Sequence, residues 1–153
     1  MKQNPTSPGI ARFTKILLDV LFYAGIAVTV SVPWTMRWAA GFYPSFSERL
    51  TLHTVLFLLA GVCAALILFE LRRILQTVVS GDCFVRRNVA SLSRMAYYAF
   101  AIAALMAVRL VVFFTPGLLA IVCVFVLAGL FSLVLAQVFD RAVSYKQDND
   151  LTI

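Results

Sequence analysis

The chain has 153 residues, of which 62% are hydrophobic and 13% are charged, with a formal net charge of +6. Soluble domains carry about 45–50% apolar and about 25% charged residues, so this composition excludes an ordinary soluble globule. The mean hydropathy of +0.94 instead indicates a single transmembrane domain over residues 1–153.

Four apolar stretches are long enough to cross a bilayer, which takes about 20 helical residues. We predict spans at about residues 16–35, 52–72, 96–114 and 118–139. Because the hydrocarbon interior offers no water to the backbone, each span should be a helix. The predicted fold is an all-α integral membrane four-helix bundle, with helices 2 and 3 projecting into the cytoplasm.

The first span is longer than the roughly 7–15-residue core of a cleaved signal peptide, and no small-residue cleavage site follows it. We therefore expect it to be retained as a helix. The loop after it, from Trp34 to about Glu48, is rich in aromatic residues. Trp34 and Trp38 fit an interfacial aromatic belt or, alternatively, a lid over an outer pocket for a hydrophobic or peptide ligand.

The connector between the second and third spans, about residues 73–95, is more organised than a loop. Apolar residues continue at helical spacing through Ile74–Val79, beyond the predicted end of the span. Gly81 and its polar neighbours break this helix, and a second amphipathic stretch leads into the third span. We predict a cytoplasmic elbow made of two helical ends that pack around Phe84.

Small residues recur at four-residue spacing on three of the spans. They are Gly61 and Ala65; Ala99, Ala103 and Ala107; and Ala128, Ser132 and Ala136. Such stripes allow close helix packing in lipid. They serve either packing within the bundle or, alternatively, a homo-oligomer formed through one stripe.

Basic residues flank the spans asymmetrically. With the N-terminus inside, ten basic residues lie on the inner side, whereas only Arg37 and Arg49 lie in an outer loop. The positive-inside rule then predicts a multi-pass cell membrane protein with cytoplasmic N- and C-termini. The inner basic residues would contact anionic headgroups of the lipid bilayer, so we expect no direct nucleic-acid binding. They are Lys2, Arg12, Lys15, Arg72, Arg73, Arg86, Arg87, Arg94, Arg141 and Lys146.

Three charged residues lie within or beside spans, where an unpaired charge is costly. Asp19 and Glu70 fall near inner span ends. The basic residues available to neutralise them are Lys15, Arg72, Arg73 and Arg94. Arg109 has no acid at its depth, so it either snorkels outward past Phe113 or holds an outer-leaflet anion or ligand carboxylate.

Reactive residues form no recognisable site. Cys63, Cys83 and Cys123 show no CxxC spacing, and His53 has no second ligand at metal-binding spacing. The sequence has no GxSxG, HExxH or P-loop motif. We therefore predict no enzymatic activity, no catalytic residues, no cofactor and no metal.

Two short motifs stand at the elbow and near the C-terminus. They are Ser80-Gly81-Asp82-Cys83-Phe84 with Asn88 and Leu92, and Val138-Phe139 with Gln147-Asp148-Asn149-Asp150-Leu151-Thr152-Ile153. In these motifs the chain resembles domain-of-unknown-function family 2975 (DUF2975), whose members are small four-span bacterial membrane proteins. The chain departs from the family pattern at Cys83, where proline is common, and at Arg87, where an acid is usual. The resemblance implies a companion helix-turn-helix regulator and no defined activity.

We therefore predict a regulatory or sensory membrane protein that holds a helix-turn-helix regulator at the membrane; the alternative is a small transport or immunity protein acting within the bilayer. A transporter needs a polar pathway or broken helices at midplane, and residues 118–139 show neither. The cytoplasmic tail, residues 140–153, either docks on the partner or folds back on the elbow arginines. The candidate partner surface consists of Arg86, Arg87, Asn88, Asp148, Asn149, Asp150, Leu151 and Ile153.

Overall fold

The computed structural model describes residues 8–42, 49–81, 83–112 and 114–150. Within these ranges the chain forms four long α-helices and no strand. They are α1 (Pro8–Phe42), α2 (Leu50–Val79), α3 (Arg86–Val112) and α4 (Pro116–Asp150). Each helix contains a stretch long and apolar enough to cross a membrane. The predicted all-α class and the four candidate spans are therefore confirmed.

The first and last helices continue well beyond the predicted spans. Trp34 and Trp38, which we placed in an outer loop, lie on α1, because this helix runs through Pro33 to Phe42. Proline removes one backbone donor, a loss that membrane helices tolerate. Both indoles are exposed, as an interfacial aromatic belt requires. At the other end of the chain, residues 140–150, predicted as a tail, continue α4.

The break predicted at the elbow lies where the sequence placed it. Helix α2 ends at Val79, and the following Ser80 hydroxyl donates to the carbonyl of Gln76 at 2.9 Å. Gly81 then has a φ of +83°, in the left-handed region that glycine adopts without strain. This turn lets α3 return beside α2. Asp82 lies outside the described residues.

The turn between α3 and α4 differs from our expectation in detail. Pro116 is the first residue of α4, and the carbonyl of Thr115 accepts from the backbone amide of Leu118 at 2.9 Å. Proline is favoured at a helix start, because the first amide has no intrahelical partner there. Gly117 is already helical and lacks a positive φ, so the reversal does not use its backbone freedom.

Helices α2 and α3 are the two inner helices of the bundle. The helices pack in chain order, α1 on α2, α2 on α3 and α3 on α4, and among the described residues no other pair comes into backbone contact. Side chains of α2, α3 and α4 share one apolar core. Its most buried members are Ala60, Ile102, Met106 and Leu118. Helix α1 therefore lies at one side of the bundle and packs on α2 alone.

Small residues allow the close approaches between helices. A Cβ added at Gly61 of α2 would lie 2.6 Å from the Thr29 hydroxyl of α1, and one added at Gly129 of α4 would lie 2.8 Å from the Phe100 ring of α3. The buried small residues of the predicted α3 stripe are Ala99 and Ala103. On α4 the predicted member Ala128 is exposed, and the neighbouring Gly129 makes the contact instead. These residues serve packing within the chain.

Candidate functional site

Polar and charged side chains gather at one end of the bundle. We call this region the elbow end, and it comprises residues 70–79 of α2, residues 86–94 of α3 and residues 140–150 of α4. Most of the residues predicted to form a partner surface lie here. The structure separates them into side chains that hold the helices together and side chains that remain exposed.

Asn88 joins the end of α2 to the start of α3. Its side chain is only 1% exposed, and its amide nitrogen donates to Thr77 Oγ1 at 2.6 Å and to the Cys83 carbonyl at 2.8 Å. We predicted Asn88 on the partner surface, and the structure corrects this. The antiparallel pairing of α2 and α3 encloses the side chain, so Asn88 fixes the elbow from inside.

Phe84 does not pack between the two helical ends, contrary to our expectation. Its side chain is exposed on one side, and its ring lies 5.5 Å from the ring of Phe139 on α4. The interior position belongs to Asn88 and, one turn along α3, to the fully buried Ser91. Phe84 therefore connects the elbow to α4.

Glu70 is a buried acid between α2 and α3. Only 4% of its surface is exposed, and its Oε1 lies 3.1 Å from Arg94 Nε and 3.6 Å from Arg73 Nη1. Within the described part of the chain, its Oε2 has no hydrogen-bond partner. The ion pair with Arg94 is therefore the main compensation for burying this carboxylate. Neutralisation of Glu70 by these arginines, which we expected, is confirmed.

A second ion pair joins α1 to α2. Arg72 Nη2 lies 2.6 Å from Asp19 Oδ1, as the predicted neutralisation of Asp19 requires. The Arg72 guanidinium also lies over aromatic rings of α1, 4.7 Å from the centroid of Phe22 and 5.7 Å from that of Tyr23. A guanidinium gains from both contacts, since it pairs with the carboxylate and with the electron-rich ring faces. Arg72 therefore holds α1 against the bundle.

Arg86 and Arg87 are adjacent in sequence but have different surroundings. Arg86 Nη1 lies 3.5 Å from Asp140 Oδ1 on α4, and both side chains are largely exposed. Arg87 lies on the α2 side and lines a cavity with Phe69 and Arg72. The acid that contacts Arg86 is Asp140, which our reading of the tail did not consider. Because Asp140 directly follows the fourth predicted span, the sequence could have indicated it as an acid close to the elbow arginines.

Only some of the tail residues of the predicted partner surface lie on the described part of α4. Asp148 and Asn149 are exposed on this helix, and Asp150 is its last residue. Leu151 and Ile153 lie outside the described residues. Because residues 140–150 are helical, the acids of this segment extend away from the span as part of α4. Tail docking on a partner stays a prediction.

Arg109 lies near the opposite end of the bundle from the elbow. Its guanidinium is 4.5 Å from the centroid of the Phe57 ring on α2. One turn before Phe57, His53 is buried with 2% of its surface exposed. The contact of Arg109 with Phe57 is a cation–π interaction. The sequence predicted no partner for Arg109 within the bundle, because no acid lies at its depth. Binding of an outer anion by Arg109 stays a prediction, and Phe113 lies outside the described residues.

Groups able to perform redox or metal chemistry lie apart. Cys63, Cys83 and Cys123 are free thiols, each on a different part of the fold. Within the described ranges, no three side chains of histidine, cysteine, aspartate or glutamate come together as metal ligands. The absence of catalysis, cofactor and metal stays a prediction. The arrangement at the elbow end is suited to binding through charge.

Comparison with known proteins adds one finding. The sequence profile of the family described as "Protein of unknown function (DUF2975)" matches residues 34–153, which include the end of α1 and all of α2, α3 and α4. The matched range also contains both motifs on which the resemblance was based. No curated protein and no solved structure matches the chain.

Proposed function

This chain belongs to the DUF2975 family, and we propose that it is a non-enzymatic regulatory or sensory protein of the cell membrane with both termini in the cytoplasm. The elbow end then faces the cytoplasm and holds a soluble helix-turn-helix regulator at the membrane. The four candidate spans and the basic residues near the elbow end support this proposal.

The observation that carries the proposal is the length of α4. Its 35 residues extend over about 52 Å, whereas the hydrocarbon core of a bilayer is about 30 Å thick. Residues 140–150 therefore add about three helical turns beyond the predicted fourth span. They expose Tyr145 and Asp148. A helical end offers a partner a fixed arrangement of side chains, which lowers the entropic cost of binding.

The contact between this helical end and the elbow is weak enough to exchange. Arg86 and Asp140 are both more than half exposed, and surface ion pairs contribute about 0–1 kcal/mol. A charged partner can therefore replace this ion pair at little cost. In contrast, the buried contacts of Asn88 and Glu70 hold the elbow in place. We therefore propose that the elbow is rigid and that its surface ion pair with α4 can be exchanged for a contact with the partner.

The second candidate function, transport or immunity within the bilayer, rests on Arg109 and the buried His53. Both lie towards the end of the bundle opposite the elbow. The shared core between them and the elbow is apolar, with Ala60, Ile102 and Met106 among its most buried members. Transporters place polar substrate sites near midplane. The geometry therefore favours the regulatory function.

Photo-crosslinking in native membranes tests the proposed partner. We expect benzoylphenylalanine in place of Tyr145 to form an adduct with a soluble DNA-binding protein, because this exposed aromatic residue lies on the extended end of α4. The adduct is identified by mass spectrometry of the purified membrane fraction. Adducts restricted to lipids and membrane proteins would count against the proposal.

The same replacement at Phe131 is the matched control. This residue is also an exposed aromatic on α4, but it lies within the predicted fourth span, where an exposed side chain would contact lipid. The two positions are about 21 Å apart along the helix. We expect Phe131 to yield no adduct with the soluble partner. Equal capture at both positions would show that the adduct at Tyr145 is nonspecific and would contradict the proposal.

A further inference from the structure

An apolar groove runs between α1 and α2 towards the elbow end. Its volume is about 420 Å³, and the space is open at the side of the bundle. Its lining comes from both helices and includes Phe22, Ile26, Val30, Val62, Leu66 and Phe69. In a membrane this groove lies against lipid, since α1 is an outer helix of the bundle. A hydrocarbon chain matches its surface.

A basic pocket continues the groove at the elbow end. Phe69 lines both spaces, and the pocket is completed by polar and charged residues of α2 and α3. These are Arg72, Arg73, Gln76 and Arg87. Leu66, Phe69, Arg73 and Gln76 follow one another at three- and four-residue spacing, so groove and pocket share one face of α2. The polarity of this face changes abruptly after Phe69.

The charge of the pocket is positive even after its internal ion pairs are counted. Asp19 contacts Arg72, and Glu70 contacts Arg73 and Arg94. Among the described residues Arg87 makes no ion pair with an acid. Two carboxylates therefore face four guanidinium groups in this region. Basic pockets of this kind between membrane helices bind anionic lipid headgroups.

We propose that the groove and the pocket together bind one anionic phospholipid of the leaflet at the elbow end. An acyl chain lies along the groove, and the phosphate contacts Arg87 and the outer faces of Arg72 and Arg73. From Val62 to Gln76 the face of α2 extends about 21 Å, which matches a leaflet's hydrocarbon half-thickness of about 15 Å plus a headgroup. The proposal requires that the helices span a membrane and does not depend on the regulator.

Native mass spectrometry of the full chain tests this site. The protein is placed in nanodiscs of phosphatidylcholine with a minor fraction of phosphatidylglycerol, and retained lipid is counted after release. We expect Arg87→Gln to lower phosphatidylglycerol retention about fivefold, the effect of one basic residue near anionic lipid. Arg86→Gln is the matched control, since it removes the same charge from the adjacent residue, which contacts α4 instead. Equal retention by both variants would overturn the proposal.

A second variant distinguishes binding of a whole phospholipid from binding of its phosphate group alone. Ala65 lines the groove, and Ala65→Phe fills part of it without touching the basic pocket. We expect this variant to retain less phosphatidylglycerol and to bind glycerol phosphate as the parent protein does. Unchanged phosphatidylglycerol retention in Ala65→Phe, together with a loss in Arg87→Gln, would mean that only the phosphate is recognised and would overturn the phospholipid site.

Discussion

Replacing Arg94 with methionine is expected to lower the free energy of unfolding by about 3 kcal/mol. The change removes the closer of two arginines from Glu70, whose remaining contact is Arg73 at 3.6 Å. A buried carboxylate that loses its ion-pair partner is strongly destabilising, because its charge is then left uncompensated in the low-dielectric space between the helices. Reversible unfolding in mixed micelles, followed by far-ultraviolet circular dichroism, measures this effect.

A double-mutant cycle with Glu70→Gln isolates the interaction. In the Glu70→Gln background the same Arg94→Met change should cost less than about 1 kcal/mol, since no buried charge is left behind. Arg87→Met supplies a matched control, because it removes an exposed arginine two turns away on α3 and should change stability by about 0.5 kcal/mol or less. Equal costs of Arg94→Met in both backgrounds would exclude the Glu70 ion pair as the cause.

Replacing Asn88 with leucine is expected to cost about 2–3 kcal/mol, because two buried hydrogen bonds are lost. The Thr77 hydroxyl and the Cys83 carbonyl both lose the donor that now joins them to α3. Because these bonds hold the elbow, the effect should extend beyond global stability. We expect faster amide hydrogen exchange in residues 80–85, measured by mass spectrometry of the protein in detergent.

Two control variants define the role of Asn88. Thr77→Val keeps the shape of its side chain and removes one of the two acceptors, so its cost should be about half that of Asn88→Leu. Asn149→Leu makes the same chemical change at an exposed position of α4 and should alter stability by about 0.5 kcal/mol or less. Unchanged stability and unchanged hydrogen exchange in Asn88→Leu would contradict the assigned role.

The ion pairs near the span ends were predictable from the sequence, because charge is costly in lipid and few partners are available. Asp19 and Glu70 both fall near inner span ends, where the basic residues of the chain are concentrated, and the structure pairs them with Arg72 and Arg94 as expected. The break at Gly81 was predictable for a similar reason, since glycine follows a helical pattern there. These features follow from the residue types near the span ends and from the high cost of an unpaired charge in lipid.

Features that depend on the register between helices were not predictable in the same way. Burial of Asn88 follows from its position opposite Thr77, which a single sequence does not reveal. The same holds for the contact of Arg109 with Phe57. The extension of α1 from the predicted end at about residue 35 to Phe42 was missed because the aromatic-rich stretch after Trp34 was read as an outer loop.

Within the candidate site, the structure divides the charges by their use. Arg72, Arg73 and Arg94 contact acids of the chain itself. Arg87 and the end of α4 carry exposed groups that lipid and a partner can reach. The sequence showed the excess of basic residues but not this division, because it requires the α2 and α3 faces to be known.

The proposed regulatory function requires the elbow end to face the cytoplasm, since a cytoplasmic regulator can be held only there. Cysteine labelling of intact cells with a membrane-impermeant maleimide tests it in a variant that lacks Cys63, Cys83 and Cys123. We introduce single cysteines at Gly41, where no side chain lies within 4 Å of an added Cβ, and at the exposed Tyr145. Gly41→Cys should be labelled in intact cells, and Tyr145→Cys only after permeabilisation. Labelling of Tyr145→Cys in intact cells would place the elbow end outside the cell and exclude the proposed function.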